Sequence, residues 1–390
     1  MAPLTQNGQA PTGRRGPTAP PPILEASGLV KHFGGKRMLL KRSPLVRAVN
    51  GISMSVKEGE TLAVVGESGC GKSTLGRLLI RLLEPSAGDV IYRGRNLGNL
   101  TPDELRRLRG ELQIIFQDPF ASLNPRMSVS DIVSEPIWLK GGSSRGERRD
   151  KVVEILRTVG LRPDMASRYP HEFSGGQRQR IGVARALASD PRLILGDEPV
   201  SALDVSIQAQ IVNLLEELKE RLKLTLIIVA HDLAVIRHMS DRVAVMYLGE
   251  VVELATTDTL YDAPLHPYTQ ALFAAIPQAS AVARHSIKPL DGDVPSPTNP
   301  PSGCKFHTRC PHAKPLCNEA RPQLEAVEGG RRVACHFWRE IAAAGSDPRP
   351  IARPSARLEK RLALYTACQA GRAELLSHRS STPTAKDQTC

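Results

Sequence analysis

Gly66-Glu67-Ser68-Gly69-Cys70-Gly71-Lys72-Ser73 has the pattern G-x-x-x-x-G-K-[ST]. Its reading decides the fold. Glycines let a backbone curl until successive N–H groups point inward at phosphate oxygens. A helix beginning there adds its positive N-terminal end. The apolar run Leu62-Ala63-Val64-Val65 precedes the turn, and a helical stretch, Ser73 to Leu83, follows it. Strand, glycine turn and helix form the context that turns this pattern from a coincidence into a phosphate loop. Lys72 is the candidate to reach the β- and γ-phosphates of a nucleotide, Ser73 the candidate ligand of Mg²⁺, and Thr74 extends the same helix start.

Working outward, apolar strands alternate with helices. Strands are expected from Ile23, at Gln113 to Phe116, at Leu193 to Leu195, at Leu224 to Val229 and at Val243 to Tyr247. Helices are expected at Thr101 to Arg109, opened by a Thr cap and a Pro, and at Ser206 to Leu222. Residues 128–190 read as mostly helical, with a polar loop at Lys140 to Gly146. This alternation predicts an α/β fold, helices covering a mainly parallel sheet. Lys36 to Arg47 reads as a basic loop inserted between two strands.

Two further stretches carry chemistry. Leu193-Ile194-Leu195-Gly196-Asp197-Glu198 is an apolar strand ending in two acids. Beside a phosphate loop, Asp197 can hold Mg²⁺ or its water shell, and Glu198 can accept a proton from an attacking water. Phe173-Ser174-Gly175-Gly176-Gln177 places Ser and two Gly before a second helix, again an anion-binding arrangement.

Charge and composition narrow the class. Net charge is +12, with +7 in residues 1–50 and +6 in residues 331–390, which leaves −1 for everything between. A near-neutral body argues against a nucleic-acid partner. Hydrophobic residues make up 41% and aromatics only 4%, so the core is expected to be aliphatic. Residues 1–22 contain no apolar run of the kind a secretory leader needs. No apolar segment approaches the roughly 20 residues of a membrane span. Cys304, Cys310, Cys317 and Cys335 follow C-x5-C-x6-C-x17-C, while Cys368 and Cys390 fall in the C-terminal tail. Four thiolates suit tetrahedral Zn²⁺ or an iron–sulfur cluster. The close C-x-x-C pair of most zinc ribbons is missing, and His307, His312 and His336 are alternative ligands. Free thiols are the third reading.

The ordered set of phosphate loop, Gln117, Ser174–Gln177, Asp197-Glu198, Ser201-Ala202-Leu203-Asp204 and His231 resembles the ATP-binding subunits of ABC transporters, over about residues 24–340. The resemblance implies a P-loop ATPase fold: a RecA-like core, an antiparallel β part, a helical signature subdomain at about 118–190 and a small Cys-rich C-terminal appendage. It implies an ATP and Mg²⁺ site made of Gly66, Glu67, Ser68, Gly69, Cys70, Gly71, Lys72, Ser73 and Thr74 with Asp197. Glu198, His231 and Gln117 are the implied catalytic residues, with Gln117 also sensing the metal. Ser174, Gly175, Gly176 and Gln177 would serve the nucleotide of a head-to-tail partner, with Asp204 at the seam. Phe33 is the candidate to stack on adenine.

The stretches Phe116 to Pro125, Pro199 to Ser206 and Leu265 to Leu272, and Pro295-Ser296-Pro297 before Gly303-Cys304, look like the dipeptide/oligopeptide importers. Nickel importers share them. The basic insertion looks like the second of the paired ATPase subunits. This resemblance implies a homologous ATPase partner, two membrane permeases, an extracytoplasmic peptide-binding protein and a peripheral place on the cytoplasmic face of the membrane. It also implies a [4Fe–4S] cluster on the four cysteines. The expected division is a disordered Pro-rich tail (1–22), an ATPase domain (23–290), a Cys-rich region (291–340) and a low-information tail (341–390). The competing readings are a soluble ABC ATPase acting on DNA or ribosomes, an exporter half and a module that keeps ATP without cleaving it. One cassette without a heptad run disfavours the first, the lack of fused spans the second, and Glu198 with His231 the third.

Overall fold

The computed structural model describes residues 21–35, 37–38, 41–42, 44–275 and 292–344. Nearly all of the expected N-terminal tail, most of the C-terminal tail with Cys368 and Cys390, and part of the basic insertion lie outside the described residues.

The described chain opens with β1 (Leu24–Phe33), a minimal ribbon of β2 (Arg37–Met38) and β3 (Lys41–Arg42), and β4 (Val46–Val56). β1 and β4 pair antiparallel up to Phe33 opposite Val46, so the basic insertion does connect two strands and carries the ribbon. Next comes β5 (Thr61–Val65), buried at every position, and α1 (Lys72–Leu79). The helix stops four residues short of the expected Leu83. Arg81 turns left-handed at φ 55°, and Leu82 and Leu83 donate back to the Arg77 carbonyl, closing the helix. β6 (Ala87–Tyr92) and β7 (Arg95–Asn96) return to β1, giving an antiparallel sheet of order β4-β1-β6-β7.

α2 (Pro102–Leu108) starts with the Thr101 cap and a reciprocal Glu104 bond, a device worth about 1 kcal/mol. β8 (Leu112–Ile115) leads into a helical layer of α3 (Pro119–Ser122), α4 (Val129–Lys140), α5 (Arg145–Thr158) and α6 (Gly175–Leu187). β9 (Leu193–Asp197), α7 (Val205–Leu222), β10 (Thr225–Val229), α8 (Leu233–Met239), β11 (Arg242–Tyr247) and β12 (Glu250–Thr256) follow. The remaining described elements are α9 (Thr257–Asp262), α10 (Pro267–Ala274), α11 (Pro315–Glu319), β13 (Glu325–Val327), β14 (Arg331–Val333) and α12 (Trp338–Ala343).

The second sheet has the order β13-β14-β12-β11-β5-β10-β9-β8, and its stretch from β11 to β8 is parallel. Continuous apolar runs at β5, β9 and β10 produce this, because a parallel strand is covered on both faces. Along β5, Leu62 and Val64 face the core holding Leu75 and Leu78 of α1, and Ala63 and Val65 face the core holding α4 to α8. The parallel register aligns the carboxyl ends of β5, β8, β9 and β10 along one edge, where ligands of open α/β sheets bind.

The expected Cys-rich appendage is corrected. Residues 292–344 build onto the main body. β14 pairs with β12 at Glu253–Val333 and Leu254–Arg332, and β13 pairs with β14. Phe306, 1% exposed, belongs to the same apolar core as Tyr247 and Tyr268. Without β14 the outer edge of β12 would present unpaired backbone. The expected low-information tail also begins too early, since α12 buries Ile341.

Candidate functional site

The phosphate loop is shaped by where side chains cannot go. A Cβ at Gly66 would stand 2.2 Å from the Met246 carbonyl oxygen, and one at Gly71 would stand 2.0 Å from that of Ala48. Both glycines have positive φ, so the loop is wedged against β11 and β4 as only glycine allows. Gly71 caps α1 in the left-handed conformation, with no side chain on the free N–H groups. Lys72 is buried, and its Nζ donates to the carbonyls of Gly66 (2.8 Å) and Glu67 (3.0 Å).

An open cleft of about 1240 Å³ lies over this loop. Phe33, Ser68, Gly69, Gly71, Lys72, Ser73, Thr74, Gln117, Glu198 and His231 line it. Residues from five separate stretches named in the sequence analysis therefore line one cleft. Glu198 follows β9 at φ 51°, a strained value for a side-chain-bearing residue that is held by its N–H bond to Val229 (2.9 Å). Its Oε2 accepts from Gln117 Nε2 at 3.1 Å and lies 3.3 Å from His231 Nδ1. Asp197 sits beneath, 2% exposed, its Oδ2 paired with Arg77 at 3.0 Å. Its Oδ1 is buried without a hydrogen-bond partner. Asp197 does not line the cleft itself, but an orphaned buried carboxylate oxygen at the end of β9, next to Glu198, fits a Mg²⁺ shell.

Some expected residues point elsewhere. Glu67 does not line the cleft: its N–H donates to Tyr268 Oη (2.9 Å) and its carboxylate pairs with Arg309. Cys70 is packed into the core around α1, where burial raises its thiol pKa. Ser174, Gly175, Gly176, Gln177 and Asp204 are also outside the cleft. Ser174 and Gln177 satisfy each other in a capping box, and Asp204 is exposed at the start of α7. Sequence reasoning missed Val46, Ala48 and Pro297 in the cleft wall, and Tyr268 and Arg309 behind the loop. The Pro297 carbonyl accepts the Arg47 N–H (3.2 Å) from the same strand that carries Ala48.

Cys304, Cys310, Cys317 and Cys335 line one small cavity together with Phe306 and His336. Burial, then neighbouring thiols, push Cys304 up to about 11 and Cys335 up to about 12. Among the described residues, however, no three His, Cys, Asp or Glu side chains are arranged to hold one metal ion. This arrangement supports neither the tetrahedral-zinc reading, with or without the histidines, nor the iron–sulfur reading of the four cysteines.

Comparison with known proteins decides the family. A model described as "ABC transporter" matches residues 49–201, and one described as "Oligopeptide/dipeptide transporter, C-terminal region" matches residues 252–317. The chain is 53% identical over 321 residues to the oligopeptide transport ATP-binding protein AppF of Bacillus subtilis (strain 168), covering 81% of this chain and 97% of that protein. The chain belongs to the ATP-binding subunits of the oligopeptide ABC transporter family. It is also 53% identical over 309 residues to OppF of Escherichia coli (strain K12), covering 78% of this chain and 92% of that one. Among solved structures, a dimeric ATP-binding cassette in a post-hydrolysis state bound to ADP and Pi aligns with TM-score 0.54 and 31% identity, over 60% of this chain and 99% of that one. The fold is therefore the ABC-type P-loop fold. Among the described residues no helix is long and apolar enough to cross a membrane.

Proposed function

We propose that this chain binds and hydrolyses ATP to drive import of peptides through a membrane ABC transporter. One observation carries the ATPase half: the phosphate loop, the buried Asp197 and the Gln117–Glu198–His231 cluster meet at one sheet edge. The likeness to oligopeptide transport ATP-binding proteins supports the peptide half and does not favour the nickel or non-transport readings.

In this reading the loop N–H groups and Lys72 hold the triphosphate, and Phe33 stacks on adenine at the cleft mouth. Ser73, Asp197 and Gln117 would hold Mg²⁺, which when bound would supply neutralising charge for the phosphoryl group. Glu198 accepts the proton of the attacking water. Gln117 and His231 fix its Oε2, and His231 reaches toward the γ-phosphate. Ser174, Gly175, Gly176, Gln177 and Asp204 face a homologous partner and its nucleotide in a head-to-tail pair. Two permeases and an extracytoplasmic binding protein complete the assembly, with this chain peripheral on the cytoplasmic face. The basic insertion supports placing it as the second of two unlike ATPase subunits. The expected domain division is kept as a proposal, with the sheet edge β13–β14 counted with the ATPase body.

Glu198→Gln tests the assignment. In the assembled transporter it should keep ATP binding while hydrolysis and peptide uptake fall by roughly 10²–10⁴-fold. Hydrolysis at the wild-type rate would remove Glu198 from its role.

The cysteine cavity takes a finer proposal, a [4Fe–4S] cluster. The support is that the four thiols line one cavity. Thiols raised by burial stay protonated near neutrality, so a cluster would have to supply the positive charge that makes them thiolates. Anaerobically prepared protein should carry iron and acid-labile sulfide with broad visible absorbance. Metal-free protein would leave these residues as free thiols.

A further inference from the structure

The phosphate loop contains an acid, Glu67, directly after its first glycine. A carboxylate is an awkward neighbour for a triphosphate, since like charges repel most where water is excluded. Arg309 meets it. Its Nη1 lies 2.8 Å from Glu67 Oε2 and its Nη2 3.1 Å from Oε1, a bidentate pair. The arginine side chain is 7% exposed and the glutamate 24%. Nη1 also reaches Tyr247 Oη at 3.5 Å. Tyr268 Oη accepts the Glu67 N–H at 2.9 Å, and Lys72 Nζ donates to the Glu67 carbonyl at 3.0 Å. The Glu67 carboxylate and N–H are thus engaged away from the cleft, and its carbonyl is held by Lys72.

The brace has a firm anchor. Arg309 sits in the turn between Cys304 and Cys310, its N–H bonded to Phe306 at 3.0 Å. Phe306 stands edge-on to Tyr247 (centroids 5.3 Å apart) and against Tyr268 (5.4 Å). Arg309 and Tyr268 reach Glu67 across 242 and 201 residues of sequence, and both bear on one residue of the loop.

We propose that Arg309 is a positioning residue for ATP: it neutralises Glu67 and draws that carboxylate away from the triphosphate, making the C-terminal segment part of the nucleotide site. The proposal rests on the nucleotide reading above. Its sign follows from charge. Loss of the arginine releases an anion beside the bound phosphates, and removing the glutamate as well should undo most of the harm.

The test is ATP binding by calorimetry on the full chain, with melting temperature followed in parallel. Wild type and Lys72→Ala come first. If wild type binds no ATP, the nucleotide reading itself fails. If it binds, Arg309→Met should weaken ATP about tenfold, the loss of one charged hydrogen-bonded pair. The double variant Glu67→Gln/Arg309→Met should return to within about threefold of wild type, as expected for coupled neighbours. A merely structural arginine would not be rescued by removing its partner. Wild-type affinity in Arg309→Met, or a double variant no tighter than the single, overturns the proposal while leaving the nucleotide reading intact. Arg309→Lys guards against misfolding of the first variant. It keeps the charge but not the bidentate fork, so it should lose less ATP affinity than Arg309→Met. A loss as deep as that of Lys72→Ala overturns the charge argument.

Discussion

Two helices of this chain begin at glycine-rich turns, and they treat their first N–H groups in opposite ways. At α1 the cap is Gly71, left-handed and without any side-chain acceptor, and Lys72, Ser73 and Thr74 open onto the cleft. At α6 the cap is Ser174, whose Oγ accepts from the Gln177 N–H while the Gln177 side chain accepts from the Ser174 N–H. Both turns are pinned by close approach. Gly71 presses on β4, and a Cβ at Gly176 would come within 2.5 Å of Ile207 on α7. The difference lies in the donors. α1 leaves them for a ligand held by this chain; α6 satisfies itself and presents an exposed serine outward. A helix end that caps itself needs no ligand to be stable, so it can wait for one brought by another subunit.

The largest expected effect breaks the comparison on the α1 side. In the proposed function Lys72 is the charge that makes the free helix end selective for a triphosphate. In Lys72→Ala the Gly66 and Glu67 carbonyls lose their donor and the phosphates lose a cation, each worth about 1.5–3 kcal/mol as a charged hydrogen bond. ATP affinity of the full chain should fall by about a hundredfold or more, read by calorimetry. The melting temperature should change little, because the lysine's neighbours are loop carbonyls that water can reach once the side chain is gone. Unchanged ATP binding would mean that α1 is no more a ligand site than α6.

The contrast also marks what was legible in the sequence. Leu62 to Ser73 was readable because strand, turn and helix each depend on local chemistry: β-branched and aliphatic runs, glycine at positive φ, a helix start. Asp197 and Glu198 were readable because acids at the end of an apolar strand must emerge at the sheet edge. Gln117 and His231 follow strands in the same way and arrive within reach of Glu198. Arg309 and Tyr268 were not readable. They touch Glu67 across 242 and 201 residues, and nothing near them in sequence encodes that distance. The strands β13 and β14 are three residues each, too short to show alternation, so a region that completes the main sheet looked like an appendage. The end of α1 was misjudged because Leu82 and Leu83 continue the apolar pattern past the left-handed turn at Arg81. Cysteine spacing announced a group of thiols but not whether they meet at a point or around a cavity.

The smallest expected effect sharpens the comparison on the α6 side, and it needs two substitutions. Ser174→Ala removes the cap and should cost about 1 kcal/mol of stability. ATP binding by the isolated chain should stay within about twofold, since Ser174 lies outside the cleft. Ser174→Asp keeps a good cap, so stability should hold near wild type, but it places a negative charge where a partner's phosphates would lie. Hydrolysis by the assembled pair of subunits should therefore fall further for Asp than for Ala, by about tenfold against a few-fold, although Asp is the more stable variant. Stability and turnover then move in opposite directions, which a purely structural serine cannot produce. If turnover instead follows melting temperature, with Asp active and Ala impaired, the capping box alone accounts for Ser174. The second helix end would then be an ordinary helix start, and the half-site offered to a partner would have to be sought elsewhere on the surface.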